Sequence, residues 1–264
     1  MGTTNFLDWK IREAKRKKRK LFCVFLTCGF PDLAATERLI LSAEQAGVDI
    51  LELGFPFSDP LADGPTIQYA SEQVLKRSLS IADAFALVRR VRRKGSRIPI
   101  VFFGYLNPVY AYGEKEFARD AREAGLDGLI VPDMPPEEEL AFQKECRKNK
   151  LRLVYLVAPT TTDERAKGLV QRSQGFVYYV SLRGVTGVRS GIPKDLEERL
   201  KKLKRMTDKP VLVGFGVSAP GQARVIAEMS DGVIVGSAVI EHLKQGVGPA
   251  ERFIEKMAKA VHGS

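Results

Sequence analysis

The sequence predicts an α/β protein that folds as a single (β/α)8 TIM barrel, and three observations support this prediction. Eight short apolar runs are bounded by turn residues, and each is followed by a segment with helical periodicity. These runs are apolar almost throughout, which is typical of parallel strands that are covered on both faces. The chain has 264 residues, a common length for a barrel of eight such units, and neither a linker nor a shift in composition divides it. We therefore interpret residues 1–264 as one domain.

The predicted strands are rich in Val, Ile, Leu, Phe and Tyr, which suit a buried strand. In chain order the predicted strands are 21–27, 48–54, 98–105, 127–132, 151–158, 176–181, 210–216 and 231–237. The segments between them repeat apolar residues three and four positions apart, which indicates amphipathic helices. The predicted helices are 32–46, 80–94, 114–124, 136–149, 163–173, 194–206, 219–229 and 248–261.

Two extra helices and two long loops complete the predicted architecture. Residues 1–20 form a basic N-terminal segment, and its amphipathic part is expected to pack on the barrel as a helix. Residues 237–243, after strand 8, are expected to form a short helix of the kind that binds phosphate in barrel enzymes. The long loops 55–68 and 182–193 follow the carboxyl ends of strands, where barrel enzymes keep their active sites.

The composition excludes several classes of protein. Hydrophobic residues make up 44% of the chain and charged residues 28%, which is ordinary for a folded domain and excludes a disordered or fibrous protein. No apolar stretch approaches the roughly 20 residues of a membrane helix, and the first residues lack the apolar core of a secretory signal. Three cysteines form neither a disulfide framework nor a metal-ligand spacing. We expect a cytoplasmic protein that binds no membrane and no metal ion.

The formal net charge of +10 raises the alternative of a nucleic-acid-binding protein. Basic residues cluster at 15–20, with the sequence KRKKRK, and at 89–97. Aromatic residues that could stack on bases are not interleaved with either cluster. We favour the interpretation that the clusters are solvated ends of surface helices and that no nucleic acid binds. Salt-sensitive binding that is independent of base sequence would support the alternative.

Two carboxylates are the candidate acid–base groups, since the chain has only two histidines, both near its C-terminus. On strand 2, Leu51 and Leu53 share the face that packs against helices, which turns Glu52 toward the barrel interior. Asp63 lies in the loop directly above that strand. Two carboxylates of different burial can divide the roles of acid and base. The alternative for Glu52 is a structural residue held by hydrogen bonds.

Three glycine-containing turns at the same end of the barrel indicate a phosphate site. They are GVTG (184–187), GFG (214–216) and GSA (236–238), which follow strands 6, 7 and 8. Glycine lets backbone N–H groups approach phosphate oxygens, and a helix N-terminus favours the bound dianion. One such turn is a weak signal because many turns use glycine, so the prediction depends on all three.

The segment ELGFPFSDPLADGP (52–65) resembles the signature of the tryptophan synthase alpha subunit family, which reads E-L-G-x-P-F-S-D-P-x-A-D-G-P. Further motifs match in order and at family spacing, namely NPV (107–109), VPDMP (131–135), GVTG (184–187), GFGVS (214–218) and DGVIVGSA (231–238). The resemblance spans the chain from about Phe6 to the last helix. It departs at Phe30, where many relatives have an aspartate, and this affects a loop contact rather than either candidate carboxylate.

The resemblance implies a carbon–carbon lyase of L-tryptophan biosynthesis, which splits indole-3-glycerol phosphate into indole and glyceraldehyde 3-phosphate by a retro-aldol cleavage. It implies that Glu52 protonates C3 of the indole and then accepts the proton of the glycerol hydroxyl, while Asp63 stabilises the charge on the indole N–H. The residues implied to hold the phosphate are Gly187, Gly216, Gly236 and Ser237. Those implied to line the indole and glycerol pocket are Phe25, Phe103, Tyr105, Ile130, Leu156, Tyr178, Thr186 and Phe215. Core packing is the alternative role for the apolar members, and Thr186 belongs to a loop that closes over Asp63.

The resemblance also implies a partner protein. The alpha subunit needs no cofactor itself and pairs with a beta subunit that carries pyridoxal phosphate, normally in an α2β2 heterotetramer. The expected docking surface surrounds the barrel mouth and includes the loop FPFSDP (55–60) and the pair Asn107–Pro108. Exposed aromatic rings and prolines suit an interface. The alternative is that these rings pack down onto the top of the barrel.

Other enzymes remain as alternatives to the two-subunit interpretation. A stand-alone indole-3-glycerol-phosphate lyase, as found in plants, has nearly the same signatures, and release of free indole without a partner would identify it. Indole-glycerol-phosphate synthases and phosphoribosyl isomerases share the glycine pattern but lack the segment from Glu52 to Asp63.

Overall fold

The central feature is a parallel sheet of nine short strands, within residues 5–180, 195–214 and 216–263, which the computed structural model describes. The strands are β1 (Leu21–Thr27), β2 (Ile50–Gly54), β3 (Ile100–Phe103), β4 (Gly128–Ile130), β5 (Arg152–Leu153), β6 (Leu156–Val157), β7 (Val177–Val180), β8 (Val211–Gly214) and β9 (Gly232–Val235). Their order in the sheet is β5–β4–β3–β2–β1–β9–β8–β7–β6. The two strands at the ends of this order, β5 and β6, are consecutive in the chain, so the sheet curls round and closes. The predicted (β/α)8 barrel is confirmed.

The prediction of eight strands needs one correction, at the segment 151–158. There the chain forms two strands, of which β5 pairs with β4 and β6 pairs with β7. Between them the N–H of Tyr155 donates a hydrogen bond of 3.1 Å to the hydroxyl oxygen of Ser173 rather than to a neighbouring strand. A side chain from a later segment therefore interrupts the hydrogen-bond ladder, and the sequence of 151–158 alone does not predict this interruption.

Twelve helices surround the sheet in the described ranges. They are α1 (Phe6–Lys17), α2 (Leu33–Gln45), α3 (Pro65–Leu75), α4 (Ile81–Arg93), α5 (Leu106–Tyr112), α6 (Glu114–Ala124), α7 (Leu140–Lys148), α8 (Asp163–Arg172), α9 (Leu196–Met206), α10 (Pro220–Met229), α11 (Ser237–Leu243) and α12 (Val247–His262). The predicted extra helices are present as α1 and α11, and α6 and α11 have the predicted bounds. Within those ranges, no helix combines the length and apolarity needed to cross a membrane.

The helices α3 and α5 are absent from the prediction, and each has a physical reason. Helix α3 begins inside the predicted loop 55–68 with Pro65 as its first residue, a position where the missing N–H of proline costs nothing. Helix α5 is capped from outside its own segment, because the N–H of Leu106 donates to both carboxylate oxygens of Asp133 at 3.1 Å. The local sequence pattern favours a loop where α3 begins. At α5, the local sequence contains no side chain that caps the N-terminus of the helix.

Alternate strand residues face the barrel interior, as predicted for β2. Ile50 belongs to the cluster that fills the barrel, whereas Leu51 and Leu53 belong to the layer between sheet and helices. Glu52 shares the face of Ile50 and therefore points inward. The strand residues that fill the interior, joined by Val154 from between β5 and β6, are Leu21, Cys23, Phe25, Ile50, Val101, Phe103, Ile130, Leu212 and Ile234.

The N-terminal helix α1 closes the amino end of the barrel, opposite the predicted active site. Leu7, on α1, is fully buried and joins the interior cluster. Arg19 pairs with the buried Asp49, and Nζ of Lys20 donates to a backbone carbonyl just before β9 at 2.6 Å. The last two residues of the basic run 15–20 thus hold this end of the barrel together, and the rest of the run is exposed.

Candidate active site

Glu52 is a buried carboxyl group in the upper part of the barrel interior. Only 1% of the residue is exposed, and the thiol of Cys23 donates a hydrogen bond of 3.5 Å to its Oε1. Its second oxygen, Oε2, is also buried and has no hydrogen-bond partner among the described residues. Burial raises the pKa of Glu52 to about 8, and the hydrogen bond from Cys23 partly opposes this shift. At neutral pH the group is therefore mostly protonated and able to give a proton.

The structural alternative for Glu52 requires a carboxyl group whose hydrogen bonds are satisfied. One weak thiol bond and one unpartnered oxygen do not meet that requirement, because buried polar groups in native proteins normally find partners. A buried oxygen without a partner costs stability, and such a cost is typical of functional sites.

Asp63 lies immediately before the N-terminus of α3, in the loop above β2, and is half-buried. Burial raises its pKa to about 6, and a hydrogen bond from the hydroxyl of Tyr105 partly opposes this shift. The same hydroxyl accepts a hydrogen bond of 3.0 Å from the N–H of Ala62. Tyr105 thus holds the backbone of this loop, and Asp63 is mostly ionised at neutral pH.

Tyr178, on β7, connects the two carboxylates electrostatically. Tyr178 is partly buried and packs against the interior cluster. Burial raises its pKa well above the ordinary value, with further contributions from Glu52, Cys23 and Asp63. Glu52 lies on β2 and Asp63 in the loop that follows this strand, and burial raises the pKa of Glu52 to about 8 and that of Asp63 to about 6.

Most of the pocket residues implied by the resemblance lie together around the two carboxylates. The interior cluster includes Phe25, Phe103 and Ile130, and Leu156 and Tyr178 pack against it. The rings of Phe25 and Phe103 meet edge to face, with 5.6 Å between their centroids. Tyr105 is buried at the end of β3, but Thr186 and Phe215 lie outside the described residues.

Two glycines allow the aromatic rings to approach the strands. A Cβ atom at Gly54, the last residue of β2, would collide with the ring of Phe25. A Cβ atom at Gly214, the last residue of β8, would lie 2.5 Å from the hydroxyl of Tyr178. Any larger residue at either position would displace a ring, so these glycines set where the two rings lie.

The predicted phosphate residues lie at the carboxyl ends of the last two strands. Gly216 follows β8 and has a φ of 62°, a conformation that favours glycine. Gly236 follows β9, and Ser237 is the first residue of α11. Gly187 lies outside the described residues. The structure thus brings Gly216, Gly236 and Ser237 to the same end of the barrel as Glu52.

Two side chains at this site, Cys23 and Phe57, are absent from the set predicted from the sequence. Cys23 lies two residues before Phe25 on β1, and the alternation of strand residues places it on the same inward face. Phe57 stacks on Tyr105 with a centroid distance of 5.1 Å. The alternation could have identified Cys23, whereas no local pattern indicates which ring Phe57 meets.

Metal-ligating side chains are dispersed over the part of the chain that the structure describes. Those residues contain no cluster of three or more His, Cys, Asp or Glu side chains that could hold a metal ion.

The fold defines a class of protein, the (β/α)8-barrel enzymes, which keep their active sites at the carboxyl ends of the strands. A family model described as tryptophan synthase alpha chain matches residues 11–263. The chain is 44% identical to the tryptophan synthase alpha chain of Pelobacter propionicus, over 98% of both chains. It is also 44% identical to that of Caldanaerobacter subterraneus, over 95% of both. This chain belongs to the tryptophan synthase alpha chain family.

Solved structures agree with this assignment. The fold superposes on the tryptophan synthase alpha subunit of Legionella pneumophila with a TM-score of 0.91 and 34% identity, over 99% of this chain and 100% of that one. It superposes on a tryptophan synthase structure from Mycobacterium tuberculosis with a TM-score of 0.90 and 36% identity, over 98% and 99% of the two chains. The chain is a lyase that cleaves indole-3-glycerol phosphate, the alpha reaction of tryptophan biosynthesis.

Proposed function

We propose that Glu52 and Asp63 carry out this cleavage as a divided acid–base pair. The observation that carries the proposal is the buried Glu52 carboxyl group, whose Oε2 has no partner among the described residues, with Asp63 in the loop that follows the same strand. Burial raises the pKa of Glu52 to about 8 and that of Asp63 to about 6. At neutral pH Glu52 holds a proton and Asp63 mostly does not, which is the combination that the first step needs.

In the first step the carboxyl group of Glu52 gives its proton to C3 of the indole. The ring becomes an iminium ion, and its N–H donates a hydrogen bond to the carboxylate of Asp63. In the second step the ionised Glu52 takes the proton of the hydroxyl on the carbon attached to C3. The bond between that carbon and C3 breaks, its electron pair restores the neutral indole ring, and the aldehyde of glyceraldehyde 3-phosphate forms. Glu52 ends the cycle protonated, so no proton is consumed overall.

The substrate phosphate is proposed to bind to backbone N–H groups and to Ser237, without an essential lysine. Gly187, Gly216 and Gly236 would supply the backbone groups, and the short helix α11 would follow the site. Phe25, Phe103, Ile130, Leu156, Tyr178 and Phe215 would surround the indole ring. Tyr105 and Thr186 would lie on the glycerol side.

Gly216→Leu is expected to raise the KM for indole-3-glycerol phosphate at least about tenfold, the effect of losing one hydrogen bond to a charged group. The side chain would enter the proposed phosphate space, and the φ of 62° would be strained as well. Gly95→Leu is the matched control, since Gly95 also has a positive φ of 89° and no atom within 4 Å of a Cβ there. Steady-state kinetics of indole release measures both variants. An unchanged KM in Gly216→Leu, or phosphate binding that depends on the run 15–20, would contradict this placement.

The partner is proposed to be a beta subunit that carries pyridoxal phosphate, in an α2β2 heterotetramer, with no cofactor on this chain. The loop 55–60 contributes less aromatic surface than the sequence suggests, because Phe55 stacks on Phe102 at 5.9 Å and Phe57 stacks on Tyr105. The neighbouring Leu61, in the loop between β2 and α3, is 89% exposed. We place the centre of the docking surface at Leu61, with the remaining exposed part of 55–60 and Asn107–Pro108 around it.

Leu61→Asp is expected to weaken binding of the beta subunit from the same organism at least about tenfold, because it places a charge in an apolar interface. Trp9→Asp is the control, since Trp9 is 43% exposed on α1 at the opposite end of the barrel. Titration calorimetry measures affinity, and an indole assay measures activation. Free indole release at full rate, with neither association nor activation, would favour the stand-alone lyase.

We propose that the chain acts in the cytoplasm as a single barrel domain, and that the basic runs are solvated helix ends rather than a nucleic-acid site. The pairing of Arg19 and Lys20 within the protein supports the last point, since it removes part of the run from solvent.

A further inference from the structure

The hydrogen bonding of the Glu52 carboxyl group is asymmetric. Oε1 accepts the bond of 3.5 Å from the Cys23 thiol, and Oε2 is buried without a partner among the described residues. Cys23 is itself completely buried. The register between β1 and β2 pairs Cys23 with Ile50 and Phe25 with Glu52, so Cys23 lies on the inward face two residues nearer the amino end of the barrel than Glu52. The thiol is shielded from water, and its hydrogen bond is made to the Glu52 carboxyl group.

We propose that Cys23 is a positioning residue for the lyase reaction, whose thiol holds Oε1 and leaves Oε2 as the oxygen that exchanges the proton with the substrate. This inference rests on the proposed role of Glu52. It adds a residue to the site that neither the glycine turns nor the signature segment includes, since Cys23 precedes both.

A thiol suits this task better than a hydroxyl. Burial and the neighbouring Glu52 raise the pKa of Cys23 well above its ordinary value, so the group remains a donor over the whole working range. An S–H group is a weak donor, so it orients the carboxyl group while stabilising the ionised form only slightly. A stronger O–H donor would favour the carboxylate and lower the fraction of Glu52 that carries a proton at neutral pH.

Other ionisable groups also face this region. Tyr178 approaches from β7 and Asp63 from the loop after β2, and Asp49, at the start of β2, acts on Cys23. Within the described ranges, Cys23 is the group that hydrogen bonds to the Glu52 carboxyl. A purely structural Cys23 would fill space in the barrel, and its replacement would alter stability without altering the titration of Glu52.

The test compares Cys23→Val, which removes the donor, with Cys23→Ser, which replaces it with a stronger one. The titration of Glu52 is followed by carbon-13 NMR of glutamate carboxyl groups in the full chain, with the resonance identified by its loss in Glu52→Gln. We expect the pKa of Glu52 to rise by about 0.5 units in Cys23→Val and to fall by a similar amount in Cys23→Ser. The alkaline limb of kcat/KM for indole release should move in the same directions.

Turnover provides the second readout. In Cys23→Val, kcat should fall about threefold to tenfold with a smaller change in KM, because a freely turning carboxyl group delivers its proton less often in the correct geometry. Cys146→Val is the control, since Cys146 is equally buried but lies on α7 in the outer layer. Cys23→Ala supplies a second variant without a donor if valine disturbs the packing.

A wrong role for Cys23 can be distinguished from a wrong role for Glu52. If the pKa of Glu52 and the alkaline limb stay within about 0.2 units of the parent in all Cys23 variants, while Glu52→Gln is inactive, Cys23 is only a packing residue. If Glu52→Gln retains activity, the proposed role of Glu52 is wrong, whatever the Cys23 variants do.

Discussion

Glu52→Gln is expected to lower kcat for indole release at least about 100-fold, the loss expected when a general acid–base group is removed. Glutamine has nearly the same shape but cannot give a proton to C3 or accept one from the glycerol hydroxyl. The other ionisable groups that face this region do not replace it, because Asp63 is mostly ionised at neutral pH and burial raises the pKa values of Cys23 and Tyr178 well above their ordinary values. Steady-state kinetics of the purified variant measures the effect, and binding of glyceraldehyde 3-phosphate should be unchanged.

The stability of the same variant provides a control with a definite sign. The pKa of Glu52 is about 8 in the folded chain and 4.5 for an ordinary glutamate, so the unfolded chain loses this proton at lower pH. Folding therefore carries a penalty that is small near pH 4.5, grows as the pH rises, and is constant above about pH 8. Glu52→Gln removes the penalty, so its free energy of unfolding should exceed the parent's most at pH 8 and less at pH 5. If Glu52→Gln is inactive and less stable than the parent at pH 8, the variant is misfolded. If Glu52→Gln is active, the proposed acid–base role of Glu52 is wrong.

The sequence predicts most of the fold because hydrophobic periodicity is a local signal. β1 has the predicted bounds, as do α6 and α11, and in each case the apolar pattern ends at a turn or capping residue. The interruption between β5 and β6 is different, since it depends on Ser173, which lies near the end of α8. Helix α5 depends in the same way on Asp133. Contacts between distant segments decide these details, and a local pattern does not contain them.

In the candidate site, too, some features follow from the local sequence, whereas others depend on contacts between distant segments. The inward direction of Glu52 follows from the two leucines beside it on β2, so alternation alone predicts it. Its raised pKa follows from burial, which the prediction of a barrel interior already implies. The bond from Cys23 requires the register between β1 and β2, and the stacking of Phe57 requires the path of its loop. Neither can be obtained from one strand or one loop considered alone.

Asp63→Asn is expected to lower kcat at least about 100-fold, because asparagine cannot neutralise the charge that develops on the indole N–H. Asp59→Asn is the matched control, since Asp59 is exposed in the same loop and bonds to the neighbouring Ser58. That variant should keep nearly full activity in the isolated chain. Loss of activity in both variants would mean that the loop tolerates no change of charge, and the specific role of Asp63 would fail.

The pH dependence of kcat/KM provides a second and independent test of Asp63. The parent should be active between an acid limb near pH 6, below which Asp63 is protonated, and an alkaline limb near pH 8, above which Glu52 has lost its proton. Asp63→Asn should lose the acid limb and keep the alkaline one. Tyr105→Phe removes the hydrogen bond that favours the ionised Asp63, so its acid limb should move to higher pH. An acid limb that survives in Asp63→Asn would have to belong to another group, and the division of roles between the two carboxylates would then be wrong.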